Sequence, residues 1–214
     1  KEDIYKKYIE RSQNYINVFD GATRFFRGKR MDGNWESPFN PLAVGRAYTE
    51  ATAWQYRFFV PHDVNGMIQL FGGKEEFVAA LDDIFNTDAE IHGNLVDITG
   101  LIGQYVHGNE PSHHIAYLYN YVGEPWKTQK MSRRLLNEMY HPTPEGIIGN
   151  EDCGQMSAWY ILSSMGLYSV CPGSNEYVLT TPLFEKVVVH LANGRTLTIL
   201  ANDPQKNIYI TKVE

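Results

Sequence analysis

Carboxylates recur in this chain where a polar, glycine-bearing stretch turns into an aromatic helix. Three segments do so: Tyr48-Thr49-Glu50-Ala51-Thr52-Ala53-Trp54-Gln55-Tyr56, Gly108-Asn109-Glu110-Pro111-Ser112-His113-His114, and Gly149-Asn150-Glu151-Asp152-Cys153-Gly154-Gln155-Met156-Ser157. One such start is ordinary, because Asp, Asn and Glu in a first helical turn meet free N–H groups and the positive end of the helix dipole. Three exceed what capping asks for. The run Asn150-Glu151-Asp152 also sets like charges side by side, which is unfavourable unless a cation or a reaction uses them. Two carboxyl groups in one site can divide acid and base duty: one gives a proton to a leaving oxygen, the other activates water or attacks carbon. A helix N-terminus favours the ionised form, whereas a carboxyl among other acids and rings is favoured neutral. On that ground Asp152 reads as the base and Glu50, close to Trp54, as the acid. The pairing is the one that glycosidic cleavage needs.

Other chemistries fit less well. Several carboxylate and amide oxygens together would suit a hard cation such as Ca²⁺, but there is no EF-hand loop, no His-Glu-x-x-His pair, no Gly-x-Ser-x-Gly elbow and no phosphate-binding glycine loop. His107, His113 and His114 offer a zinc reading, yet neighbours on a helix point about 100° apart. Contacts to sugar hydroxyls, or plain polarity at a helix start, use them better.

The elements that must position these groups follow from periodicity. Apolar spacing predicts helices over residues 1–18, Ala47 to Phe59, a short one from Asn65, Lys74 to Phe85, Pro111 to Val122, Trp126 to Met139 and Gly154 to Gly166. If the helices at Lys74 and Trp126 are outer returns, the three acid-bearing helices run parallel and their starts meet at one rim. A loop from Gly21 to Pro41, carrying Arg24, Arg27, Arg30, Asp32, Trp35 and Glu36, is too aromatic for a linker and is expected to line something. After Gly166 the pattern changes. Lys186 to Leu191 and Thr196 to Leu200 are β-branched runs around Asn193-Gly194, a strong hairpin signal, with a third strand expected between Asn207 and Val213.

Composition excludes other classes. The net charge of −6 over 214 residues, with Lys and Arg scattered, provides no basic face for nucleic acid. No run approaches the roughly 20 apolar residues of a membrane span, and the charged start is not a signal peptide. The two cysteines, Cys153 and Cys171, make neither a metal spacing nor a disulfide scaffold. Fourteen Tyr and 4 Trp supply flat faces with polar tips, which suit sugars, although most such rings belong to cores.

At these residues the chain resembles glycoside hydrolase family 92, calcium-dependent exo-acting α-mannosidases. The likeness rests on Thr49 to Tyr56 followed by Val60-Pro61-His62-Asp63, on Gly108 to His114, and on Gly149 to Ser157 with Ala158-Trp159-Tyr160. It runs from about Gly28 to Val170. It implies a mainly α fold: the later part of an (α/α)6 toroid over residues 1–170, then a small antiparallel β-element at 171–214 that is incomplete. The family's N-terminal β-sandwich lies outside this sequence and would be the missing partner of the toroid. The implied activity is removal of terminal α-linked mannose, α-1,2 by expectation, from mannose-containing glycans such as N-glycans, by single displacement with inversion. Export to the periplasm or cell surface is implied too.

Carried over by position, the resemblance makes Glu50 the general acid and Asp152 the general base. Ca²⁺, the implied cofactor, sits at the sugar's O2 and O3, with Gln55 and Asn109 as candidate ligands and Glu110 as a third choice. Glu110 and His107 are equally candidates for contacts to the leaving sugar, and His113, Glu151 and Trp54 for substrate contacts. Asn150 stands where some members have a second Asp, so Asp152, with Glu151 beside it, activates water with less help. Ala51-Thr52 replaces a common Gly-Asn, which bears on loop shape near the acid. Two further readings stay open: a non-catalytic glycan-binding or structural fragment whose acidic starts are only caps, and another (α/α)6 glycoside hydrolase acting on α-glucosides or polyuronates.

Overall fold

The computed structural model describes residues 1–45 and 47–214, which fall into two units, Lys1–Ser112 and His113–Glu214. Each is mainly helical with short antiparallel hairpins.

In the first unit, α1 (Glu2–Ser12) buries no side chain and tightens into a 3₁₀ turn at Gln13–Val18, so the expected helix over 1–18 is α-helical only to Ser12. The loop after it is not structureless: β1 (Phe19–Asp20) pairs with β2 (Phe25–Phe26). Its rings enter the core, where Phe19 lies against Phe26 and Phe71, and Phe58 stacks on Phe71 with Phe77 edge-on to both. Arg57, only 5% exposed, lies over Phe25 at 4.6 Å and lends its Nε–H to the Arg24 carbonyl. Burial pushes its guanidinium down to about 10, still cationic at neutral pH; Asp83 Oδ2, 3.8 Å from its Nη1, supplies the counter-charge, and the ring faces around it add cation–π attraction.

The helix expected over Ala47 to Phe59 shrinks to α2 (Ala53–Tyr56). The cause is local. Glu50 has φ +54°, outside helical space, and Thr52 then caps a new start at Ala53. Next come α3 (Val64–Leu70), capped by Asp63, whose Oδ1 accepts from Gly66 N at 2.8 Å, and α4 (Lys74–Asn86). Phe77, Ala80, Leu81, Ile84 and Phe85 make the buried stripe of α4 at helical spacing. A hairpin follows, β3 (Leu101–Ile102) with β4 (Tyr105–Val106). Its turn residue Gln104 is buried, donating from N to the Ile84 carbonyl and from Nε2 to those of Asp88 and Glu90. That one side chain gathers the long loop after α4.

The second unit begins with a 3₁₀ helix at Ile115–Val122, tighter than the α-helix expected from Pro111 to Val122, which a separate short turn at Glu110–Ser112 precedes. It packs on α5 (Pro125–Glu138), where Thr128 Oγ1 donates to the Ala116 carbonyl at 2.8 Å. Helix α6 (Gln155–Met165) runs between two left-handed glycines, Gly154 and Gly166. Its Trp159 lies flat against Tyr140, and Tyr117 stacks on Tyr168 at 4.2 Å while bonding Ser163. β5 (Leu167–Tyr168) pairs with β6 (Val178–Leu179). The hairpin expected around Asn193-Gly194 forms as β7 (Lys186–His190) and β8 (Thr196–Leu200), with five paired positions. No strand forms between Asn207 and Val213. Side chains take the backbone groups instead: Ile208 O accepts from Thr181 Oγ1 and Ile210 N donates to Gln129 Oε1.

Gly166 ends α6 at φ +86°, and a Cβ there would lie 2.8 Å from the Thr180 carbonyl oxygen and 3.1 Å from the Pro182 ring. Gly166→Ala is therefore expected to destabilise by about 1–3 kcal/mol, read as a lower midpoint in urea denaturation with an unchanged slope.

Candidate active site

The Glu50 carboxylate is exposed and no hydrogen bond among the described residues draws it back to the protein. Its main chain, by contrast, is fixed on every side. A left-handed residue with a Cβ costs about 1–2 kcal/mol, so its surroundings must hold it. Three successive carbonyls do: Thr49 O accepts from Tyr56 Oη at 3.1 Å, Glu50 O from Asn109 Nδ2 at 2.8 Å, and Ala51 O from Gly45 N at 3.2 Å. Thr52 then closes the segment as a capping box. Its N and Oγ1 both donate to Gln55 Oε1, at 2.7 and 2.9 Å, and its Oγ1 accepts from Trp54 N. Gln55 Nε2 reaches across to the Gln104 carbonyl at 2.6 Å, which ties this turn to the β3–β4 hairpin.

Glu110 comes to the same place. Its N–H donates to Asn109 Oδ1 at 3.1 Å, so one amide side chain bridges the backbones of both acidic segments. The Tyr56 hydroxyl is pushed above its ordinary value by burial first, and the charges of Glu50 and Glu110 add to the shift. Both carboxylates thus lie within electrostatic reach of one phenol. Among the other predicted contacts, His107 is fully buried with Nδ1 2.8 Å from Tyr105 Oη, stacked on that ring. Trp54 is half-buried, edge-on to Phe25 with Arg57 over its face, so its ring belongs chiefly to the core.

In the second unit, Asp152 (φ +51°), Cys153 (φ +56°) and Gly154 (φ +100°) are three consecutive left-handed residues before α6. Asp152 and Cys153 are exposed, and both cysteines of the chain are free thiols. Glu151, the predicted substrate contact, turns its carboxylate onto the helix: Oε2 accepts from Gly154 N and Oε1 from Ser157 N. These bonds, those with Ser157 foremost, hold its carboxyl below the ordinary value. The Asp152 carboxylate forms no such bond among the described residues, so of the acidic pair one caps and one is presented to solvent. His113 is buried; its Nδ1 accepts from Gln155 Nε2 at 3.1 Å, which places its ring proton on Nε2, and its carbonyl accepts from Trp159 Nε1 at 3.0 Å. The histidine thereby anchors the first turn of α6, the helix that follows Asp152.

Sequence reasoning passed over the residues that do the anchoring: Tyr56, Gln104 and Gln155. The Thr52-x-x-Gln55 spacing is a capping-box signal that would have placed the helix start at Ala53. No comparable signal marks Tyr56 or Gln104, whose partners lie in remote segments or a non-helical loop. The calcium ligands expected at Gln55 and Asn109 do not make a site as they stand. Calcium takes six to eight oxygens, but the Gln55 oxygen already accepts two hydrogen bonds at 1% exposure and the Asn109 oxygen accepts from Glu110 N. No group of three or more His, Cys, Asp or Glu residues able to hold a metal ion occurs among the described residues.

Residues 1–214 match the glycosyl hydrolase family 92 catalytic domain. Among solved structures, the chain is similar to the family 92 α-mannosidase BT3965 of Bacteroides thetaiotaomicron in complex with mannoimidazole, with a TM-score of 0.88 and 41% identity over 95% of this chain and 28% of that one. The inverting mannosidase BT2199 of the same organism gives a TM-score of 0.82 and 37% identity over 95% and 29%. An uncharacterized secreted glycosidase of the fungus Arthroderma benhamiae is 30% identical over 97% of this chain and 28% of its own length. The chain therefore spans less than a third of each relative. No helix among the described residues is long and apolar enough to cross a membrane.

Because the Glu151 carboxyl is held below its ordinary value of 4.5 by bonds to α6, its contribution is present above that value and is lost as pH falls through the lowered one. Glu151→Gln is expected to lower the urea midpoint at pH 7, with the difference from the parent chain shrinking as the medium is acidified below 4.5. A difference independent of pH would separate the cap from its charge.

Proposed function

The chain belongs to glycosyl hydrolase family 92, and from that membership we propose that the full-length protein is an exo-acting α-mannosidase. It removes terminal α-linked mannose, α-1,2 in the first instance, with inversion, from glycans such as N-glycans. The observation that carries the reading is common to both predicted catalytic residues. Glu50 and Asp152 are exposed carboxylates on left-handed backbone, each just ahead of a helix and each with its main chain held by neighbours. Strain of this kind persists only where surrounding bonds impose it and concentrates at functional sites.

In the proposed reaction Asp152 takes a proton from water as the water oxygen attacks the anomeric carbon, and Glu50 gives its proton to the glycosidic oxygen as the carbon–oxygen bond breaks. Mannose leaves with inverted configuration, and the shortened glycan leaves as an alcohol. Glu110, whose backbone Asn109 bridges to that of Glu50, and His107 are proposed on the leaving-sugar side. His113 supports the base by holding α6, and Glu151 serves as its cap. Trp54, packed against Phe25 and Arg57, is proposed to border the pocket on the side of the acid.

The same reading treats residues 1–170 as the later part of an (α/α)6 toroid and 171–214 as the start of its closing β-region, with an N-terminal β-sandwich supplying the remaining substrate contacts. Calcium belongs to this reading through family membership. With the Gln55 and Asn109 oxygens engaged elsewhere, its ligands are other oxygens, and no step is assigned to it. Export follows the secreted fungal relative.

Asp152→Asn in the full-length chain should lower turnover of an α-1,2-mannobioside by at least about 10²-fold, the lower range for a lost acid or base, while the disaccharide still binds. Proton NMR of fresh product should show the β-anomer first. Unchanged turnover in Asp152→Asn, or α-mannose as first product, contradicts the assignment. Chelation is expected to abolish activity and added Ca²⁺ to restore it; full activity after complete chelation would favour another (α/α)6 hydrolase.

A further inference from the structure

We propose that Asn109 is a positioning residue for the general acid, setting the direction in which Glu50 presents its carboxyl; the proposal rests on the reading of Glu50 as that acid. The direction of a side chain is set by the peptide planes on either side of its Cα. At Glu50 the preceding plane is held through Thr49 O by Tyr56 Oη, and the following plane is held through Glu50 O by Asn109 Nδ2 at 2.8 Å. The second bond acts on Glu50's own carbonyl, at a residue whose φ of +54° is unfavourable for glutamate. Without it the peptide is free to rotate toward ordinary φ/ψ, and the Cβ turns with it.

The amide that does this is itself locked. Asn109 is 4% exposed, and its other end accepts from Glu110 N at 3.1 Å. Rotating the amide by half a turn would set oxygen against the Glu50 carbonyl and N–H against the Glu110 N–H, so both contacts enforce one orientation. A buried group satisfied at both ends and reversible at neither is a rigid spacer between two acidic segments. Both polar atoms of its amide are engaged with main chain, so it acts through Glu50.

A misdirected acid leaves a distinctive kinetic trace. A dinitrophenolate departs without a proton, whereas the alcohol of a disaccharide needs one. In the full-length chain, Asn109→Asp keeps the size and the acceptor for Glu110 N but puts an oxygen against the Glu50 carbonyl, and Asn109→Ala removes both bonds. Both are expected to lower kcat on an α-1,2-mannobioside roughly 10- to 100-fold while kcat on 2,4-dinitrophenyl α-mannoside stays within about threefold, a smaller version of the 10²–10⁴-fold selective loss expected of Glu50→Gln.

Equal losses on both substrates in Asn109→Asp, with Glu50→Gln selective, would reduce Asn109 to a structural residue and overturn the proposal. A raised Ca²⁺ requirement without leaving-group selectivity would make it a metal ligand and overturn the proposal equally. Should Glu50→Gln itself lose both activities alike, the acid assignment fails first, whatever the Asn109 variants do.

Discussion

The first unit is organised around a backbone that would not hold its own shape. Glu50 occupies left-handed space without a glycine's freedom, and the peptide groups around it are fixed by Tyr56, Asn109, Gly45 and Gln55 in turn. Two of those partners are themselves held by other residues. Gln55 is tied to Gln104, Gln104 to the end of α4 and the loop beyond it, and Asn109 to Glu110. The ring cluster of Phe19, Phe58, Phe71 and Phe77 supplies the apolar burial against which this polar lattice is set. Hydrogen bonds in such surroundings are hard to exchange for water, which is why a strained turn can persist there.

The second unit reaches a similar end by different means. Its acidic turn takes three left-handed residues in succession, and only the last is glycine. Here the restraint comes from the helix that follows. Glu151 caps α6 through Gly154 N and Ser157 N, His113 receives the Gln155 amide, and Trp159 is held by the His113 carbonyl. Of two adjacent carboxylates, the capping one is used up and Asp152 is left outward. Adjacent like charges become tolerable because one of them is spread over helix N–H groups.

In both places buried polar side chains are spent on holding the fold: the amides of Gln55 and Asn109 bond main chain, and the His113 ring bonds the Gln155 side chain. Gln55, Asn109 and His113 carry side chains that chemistry could use, yet both polar atoms of each amide are committed and His113 Nδ1 is taken by Gln155. A buried polar group left unpaired is costly, so a residue satisfied at both ends is fixed in function as well as in place. Their type says little about their task; their partners decide it.

Much was legible in the chain itself. Helices α4, α5 and α6, the β7–β8 hairpin and the glycines that end α6 were readable because their signals, apolar periodicity, Asn-Gly and Gly stops, are local and act within a few residues. The family motifs around Glu50, Glu110 and Asp152 were equally plain as strings. What the sequence could not decide was which groups distant segments would bond. The Thr52-Gln55 capping box marks where the helix expected from Ala47 really starts, but nothing local marks the left-handed turn at Glu50, whose carbonyl is held by a partner 59 residues away, and the strand expected after Asn207 is replaced by bonds to Thr181 and Gln129. Nor could it show that Glu151, expected as a substrate contact, would be spent as the cap of α6 while the neighbouring Asp152 is left to solvent. Residue types and spacing along the chain determined which groups were on offer. Tertiary structure decided which were consumed in holding the backbone, because a hydrogen bond between distant segments depends on their meeting in space, and no local pattern encodes that.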